Sequence, residues 1–135
     1  MKKYLLDTNI CIFLFRNKYN VAEKIKQAGG FENCSISEIT LAELKFGAEL
    51  SENKSYNTNL VENFSKEIAI LPILNCLDIY AKEKARLKKS GFLIDDFDLL
   101  IGCSAISNGL VMVTENEKHL GRLNGIVIEN WIERV

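Results

Sequence analysis

A chain of 135 residues with 47% hydrophobic and 26% charged residues, eight Gly and one Pro has neither a disordered nor a collagen-like composition. It is long enough to bury a core without disulfide or metal staples, so residues 1–135 read as a single domain. Seventeen basic against eighteen acidic residues leave a net charge of −1, which excludes a global electrostatic footprint for nucleic acid and confines any such binding to local groups.

The start, MKKYLLDTNICIFLF, has the lysines and apolar residues of a signal peptide, but Asp7 and Asn9 interrupt it and no small-residue cleavage site follows. No stretch approaches membrane-spanning length. Lys3 to Leu6 predicts a buried strand, followed by helices from about Asn9 to Phe15 and from Val21 to Ala28, the second ended by Gly29-Gly30. Cys34 to Ser37 predicts a second strand, and Glu38 to Leu50 a helix with Ile39, Ala42, Leu44 and Phe46 as its apolar contacts. Tyr56, Leu60, Phe64 and Ile68 give a narrow apolar stripe to a surface helix between Glu52 and Ile68. AILPIL reads as a short buried strand, and Asp78 to Lys89 as an amphipathic helix stopped at Ser90-Gly91. Phe97 to Ile106 is apolar nearly all round, which predicts a buried helix closed by Asn108-Gly109. LVMVT, a short helix over Glu117 to Leu120, and GIVIE complete the pattern. Strands alternating with helices imply an α/β fold: a three-layer α/β/α sandwich around a mostly parallel sheet of four to five strands.

The four cysteines, Cys11, Cys34, Cys76 and Cys103, are far apart, form no CxxC pair and sit in apolar surroundings. That suits small core residues in a reducing cytoplasm and gives no zinc pattern.

In open α/β sheets ligands collect at the C-terminal strand ends. Asp7 follows the first strand, Glu43 follows the second, DDFD (Asp95, Asp96, Asp98) opens the buried helix, and TENE (Thr114 to Glu117) follows the fourth strand. Acids sharing one crevice repel unless a cation neutralises them. Oxygen ligands without His or Cys favour Mg²⁺ or Mn²⁺, which suits phosphodiester hydrolysis by a metal-activated water. Each acid also has a local reading. Asp7 serves equally as a helix N-cap, Thr40-x-x-Glu43 matches a capping box, and Asp95 with Asp98 at N3 and Ile94 stapled to Leu99 makes a sufficient helix start.

Five blocks, LLDTNI, SEITLAELKFGA, DDFDLLIGCSAI, LVMVTEN and GIVIENW, run in order along the whole chain and resemble the PIN-domain nucleases, most closely the VapC-type toxins of bacterial toxin–antitoxin pairs. The resemblance implies a toxic, metal-dependent endoribonuclease with Asp7, Glu43 and Asp98 as metal-holding catalytic acids and Thr8, Asn9 and Thr114 in support. It implies a fourth site position at Asn116, where many relatives carry Asp, so the site has three carboxylates rather than four. It further implies RNA as substrate, a cognate VapB-type antitoxin that brings a basic residue near the acids, a homodimer and no membrane.

Among the basic residues, Arg16, Lys18 and Lys45 stand close in sequence to these elements and are the candidates for RNA phosphate contacts, while Lys82, Arg86 and Lys89 read as a solvated helix face. His119 and Trp131 read as structural. The alternative function is a non-catalytic Mg²⁺-binding receiver-like or protein-interaction module. A receiver needs adjacent acids at the end of strand one and a lysine after a late strand, whereas here Leu6 precedes Asp7 and Glu115 follows Thr114.

Overall fold

The computed structural model describes residues 2–134. Its strands are β1 (Tyr4–Leu6), β2 (Cys34–Ser37), β3 (Ala69–Leu71), β4 (Val111–Val113) and β5 (Ile128–Glu129). The helices are α1 (Thr8–Phe15), α2 (Val21–Gln27), α3 (Glu38–Leu50), α4 (Lys54–Glu67), α5 (Leu77–Ser90), α6 (Asp96–Ser107) and α7 (Glu117–Leu120). All strand pairings are parallel, in the order β3-β2-β1-β4-β5. The chain builds outward from β1 through β2 to β3, then crosses back to β4 on the other side of β1. The order therefore reverses between β1 and β4, the place where an open α/β sheet leaves a crevice at its C-terminal edge.

Alternation along β1 divides the core in two. Leu6 points into a layer with Ile36, Val113, Leu44, Val61 and Phe64, covered by α1 to α4. Leu5 points the other way, into a layer with Met112, Leu99, Ile101 and Leu120, covered by α5 to α7. Both faces of the central strands are buried, which is why β1 and β4 read as continuous apolar runs. The cysteines divide likewise, Cys11 and Cys34 in the first layer and Cys76 and Cys103 in the second, all as free thiols. Burial pushes the Cys34 thiol up to about 11 and that of Cys103 to about 12, so both stay protonated at neutral pH.

Several local expectations need correction. Phe46 (64% exposed) and Ala42 lie on the outer face of α3, whose inward residues are Thr40, Leu44 and Ala48. Tyr56 is exposed too, and Val61 joins Phe64 in the buried stripe of α4. The first helix starts at Thr8, because Asp7 caps it. The third strand stops at Leu71, before Pro72, which has no N–H to donate to a ladder. Ser37, not Thr40, caps α3: its Oγ accepts from Ile39 N at 3.1 Å.

The path into α6 is held from outside. Gly91, at φ +80°, ends α5 in the left-handed region that favours glycine. Arg122 then donates from Nη1 to the carbonyls of Phe92 and Leu93 at 3.1 and 3.4 Å. Beneath it, buried Glu83 accepts from Arg86 Nε and Nη2, both at 2.9 Å, and from Asn124 N at 2.6 Å, while Arg86 also reaches the Arg122 carbonyl at 2.6 Å. Arg86 is thus a structural tie rather than part of a solvated face. Glu83→Ala is expected to lose about 2–3 kcal/mol in urea unfolding, since it strands a guanidinium and a backbone N–H that now share one carboxylate. A loss below about 0.5 kcal/mol would show that the knot contributes nothing net.

Candidate active site at the reversal of strand order

At the C-terminal edge between β1 and β4 an open cleft of about 410 Å³ is lined by Asp7, Thr8, Asn9, Glu43, Asp98, Glu115 and Asn116. Asp7 arrives on β1 and is tied to the next strand by its own N–H, which donates to the Val113 carbonyl at 2.9 Å. Its carboxylate is buried and shared. Oδ1 accepts from Thr8 N at 2.8 Å, capping α1, and Oδ2 accepts from Thr114 Oγ1 at 2.7 Å. Capping and a place in the cleft are therefore compatible in one side chain, because a carboxylate has lone pairs for both.

Glu43 enters from α3. Thr8 Oγ1 donates to its Oε1 at 2.7 Å and also lies 3.1 Å from Thr40 Oγ1. A hydroxyl has one proton, and that of Thr8 goes to the carboxylate, so Thr40 is the donor to Thr8. Thr40, fully buried, thus belongs to a relay that orients Glu43 and not to a capping box. Its sequence spacing to Glu43 signalled a link but not its kind.

Asp98 sits in the first turn of α6, whose N-cap is Asp95, accepting from Phe97 N at 3.1 Å. Asp96 points elsewhere and is paired with Lys84 at 2.8 Å and Tyr80 at 2.9 Å. Asn116 follows β4. Its N–H donates to Thr114 Oγ1 at 2.9 Å and its side-chain amide to Asp98 Oδ2 at 3.4 Å. Thr114 is therefore a buried hinge between Asp7 and Asn116, behind the cleft wall.

The electrostatics follow from this crowding. Burial, and then the charges of Asp7, Asp95 and Glu43, push the Asp98 carboxyl up to about 6. Burial also raises that of Asp7, against the lowering effect of its hydrogen bonds from Thr114 and Thr8. A cleft that makes Asp7 and Asp98 reluctant to ionise is short of positive charge around them.

Arg16, Lys18 and Lys45 are exposed and do not line this cleft. Arg16 lies in an adjoining apolar groove of about 240 Å³ that shares Glu43 with it. Lys45 faces a separate shallow pocket with Glu49 and Glu62. Glu117 is outside the cleft and accepts from Asn130 at 3.3 Å, whereas Glu115 lines it. His119 is exposed on α7, and Trp131 is buried edge-on against Tyr4, their ring centroids 5.3 Å apart.

This arrangement recurs in known proteins. Residues 4–125 match the PIN domain. The tRNA(fMet)-specific endonuclease VapC of Shigella flexneri is 35% identical over 133 residues, covering 97% of this chain and 99% of that protein.

The chain belongs to the PIN-domain family.

Several relatives within it are VapC proteins. Ribonuclease VapC2 of Rickettsia felis is 32% identical, covering 95% of this PIN chain and 97% of the relative. The crystal structure of DNA-bound VapBC from Salmonella typhimurium superposes with a TM-score of 0.88 at 34% identity, covering 97% of this chain and 99% of that one. The structure of VapBC-1 from nontypeable Haemophilus influenzae gives 0.83 at 34% identity, covering 95% and 97%. The five-stranded parallel sheet and its helical layers are therefore those of a VapC-like PIN domain. Among the described residues no helix is long and apolar enough to cross a membrane.

Proposed function

We propose that this PIN domain is the toxin of a toxin–antitoxin pair, a divalent-metal-dependent endoribonuclease acting in the cytoplasm. The observation that carries the reading is the convergence of Asp7, Glu43 and Asp98, from three distant segments, on one cleft where Asp98 is pushed up to about 6. The names of the relatives, ribonuclease and tRNA-specific endonuclease, support RNA as the substrate class. A receiver-like switch is not favoured, because Asp7 has an apolar neighbour, Leu6, where that chemistry needs a second acid.

The donor set fits a hard ion. It is made of carboxylate and amide oxygens, without His or Cys, which selects Mg²⁺ or Mn²⁺ over softer metals. Asp7, Glu43 and Asp98 would hold the ion, with Asn116 beside them. When bound, such an ion supplies Lewis acidity toward a phosphate oxygen and toward water at neutral pH.

The chain's own residues do the positioning. Thr114 and Thr8 N–H hold the two oxygens of Asp7, so that carboxylate cannot rotate away. The Thr40–Thr8 relay turns Glu43 toward the same space. Asn116 steadies Asp98 with a neutral donor that leaves its charge intact. Arg16, Lys18 and Lys45 are proposed to contact RNA phosphates beyond the cleft, Arg16 from the wall of the groove that Glu43 shares. That groove, between α1, α3 and α4, with Phe46, Leu50 and Tyr56 exposed on the same helices, is the proposed seat of a VapB-type antitoxin segment. Exposed Leu74, Leu77 and Phe97, on the side of the sheet covered by α5 and α6, are proposed to meet a second copy.

The purified chain is expected to cut a total tRNA preparation endonucleolytically with Mg²⁺ or Mn²⁺ and to stop when EDTA is in excess. Equal cutting with and without EDTA would overturn the metal reading, and no cutting of any RNA with either ion would overturn the nuclease. Asn116→Asp is expected to bind Mn²⁺ about tenfold more tightly by calorimetry and to melt lower without metal, because it exchanges a donor to Asp98 for a repelling charge. Unchanged Mn²⁺ affinity in that variant would remove Asn116 from the site.

A further inference from the structure

Four acidic residues line the cleft, but their partners differ in charge. Among the described residues, Asp7, Glu43 and Asp98 accept only from neutral groups: Thr8 N–H and Thr114 Oγ1, Thr8 Oγ1, and the Asn116 amide. Glu115 is gripped by a cation. Arg134 donates from Nε to its Oε2 and from Nη2 to its Oε1, the latter at 2.9 Å, in the two-pronged geometry that matches guanidinium to carboxylate.

The grip is placed, although Arg134 lies on the segment after β5 and its side chain is 59% exposed. Its third nitrogen, Nη1, donates to Tyr19 Oη at 2.8 Å, and the guanidinium lies 5.1 Å from the centre of that ring. Tyr19 is itself fixed, in a left-handed turn at φ +54° and edge-on to Phe13 of α1 with ring centroids 4.9 Å apart. The neighbouring charges are mutually paired, Glu133 lying 3.8 Å from Lys24. Among the described residues Arg134 is paired with no carboxylate but Glu115.

We propose that Arg134 sets the number of carboxylates offered to a cation by withholding Glu115 from the cleft. The proposal rests on the metal-dependent reading above. A carboxylate with both oxygens in a guanidinium fork brings little net charge and few free lone pairs, so the cleft presents three acids to a divalent ion although four line it. Fewer anionic ligands leave more of the ion's positions to water and to substrate phosphate oxygens. Arg134 is thus a positioning residue that lowers the affinity for the metal, acting through Glu115 and not by contact with the ion.

The test is Mn²⁺ binding to the full chain, followed by calorimetry and by the electron paramagnetic resonance signal of free Mn²⁺, for wild type, Arg134→Ala and Arg134→Ala/Glu115→Gln. Arg134→Ala is expected to bind about tenfold more tightly, and the double variant to return to within about twofold of wild type. Arg134→Gln should repeat the result of Arg134→Ala. Affinity unchanged or weakened in Arg134→Ala, as a pure RNA-contact role would give, overturns the proposal. So does a double variant as tight as Arg134→Ala, which would assign the gain to the lost arginine charge alone. Wild type that binds no Mn²⁺ overturns the metal reading and this proposal together, whereas wild type that binds and Arg134→Ala that matches it overturns this proposal only.

Discussion

Asp98→Asn is expected to lower RNA cleavage by at least about two orders of magnitude and, in the same protein without metal, to raise the melting temperature at pH 7.5. The two effects share one cause. The Asp98 carboxyl is pushed up to about 6 from an ordinary 3.8, so the folded chain binds its proton more tightly than the unfolded chain does. Such a group contributes stability that is fully present below about pH 4 and is lost as pH rises through about 6. At pH 7.5 the ionised carboxylate is therefore a burden, and the amide removes it. Discounted for solvent screening, the gain is about 1–2 kcal/mol, a few degrees in a chain of this size.

Divalent ions reverse the ranking. At a hundred times its Kd an ion stabilises wild type by about 2.7 kcal/mol, and the variant forfeits most of that. Asp7→Asn should behave alike, since burial raises that carboxyl too and Asn preserves the cap on α1. Melting curves with EDTA and with Mn²⁺ check the crossing. A variant less stable than wild type in EDTA would mean that the carboxylate is needed by the apo fold, and full activity would remove Asp98 from catalysis.

Leu99→Ala is expected to cost about 3–5 kcal/mol, with a fall in melting temperature on the order of 10 °C or more. Leu99 is fully buried in the layer under α6, against which Ile94, the residue just before the Asp95 cap, also packs. Ile94 and Leu99 hold the two positions of the staple expected from the sequence, a pairing that would set the angle at which the helix leaves the loop. Truncation opens a cavity beside Cys76 and Met112 and loosens the turn that carries Asp98. Metal affinity should therefore fall as well, at temperatures where the variant remains folded. Phe97→Ala, two residues away but 47% exposed, is the control and should lie within about 1 kcal/mol of wild type. Equal costs for the two would show that the core does not brace the start of α6.

How much of this was legible beforehand differs by element, for reasons visible in single residues. Strand β2 and helices α3 and α7 lie where periodicity and turn chemistry predict them, Cys34–Ser37, Glu38–Leu50 and Glu117–Leu120. What failed inside α3 was the choice of face. Phe46 was expected inside and stands 64% exposed, because hydrophobic spacing finds a helix without saying which side a neighbour will cover. Thr40 failed differently. Its spacing to Glu43 imitates a cap, and only the approach of α1 shows that it donates to Thr8.

By itself the sequence determined the alternation of strands and helices, the buried character of the central strands and the cap at α6, and it named the candidate acids. All of these depend on interactions between residues a few positions apart, whose physics is written in local order. Only the tertiary structure decided that the acids meet, since Asp7 and Thr114 are 107 positions apart and bond only because β4 pairs with β1. It alone also decided which acids stay available. Glu115 looks as free as Glu43 in the sequence, and it is Arg134, 19 positions on and held against Tyr19, that takes its charge.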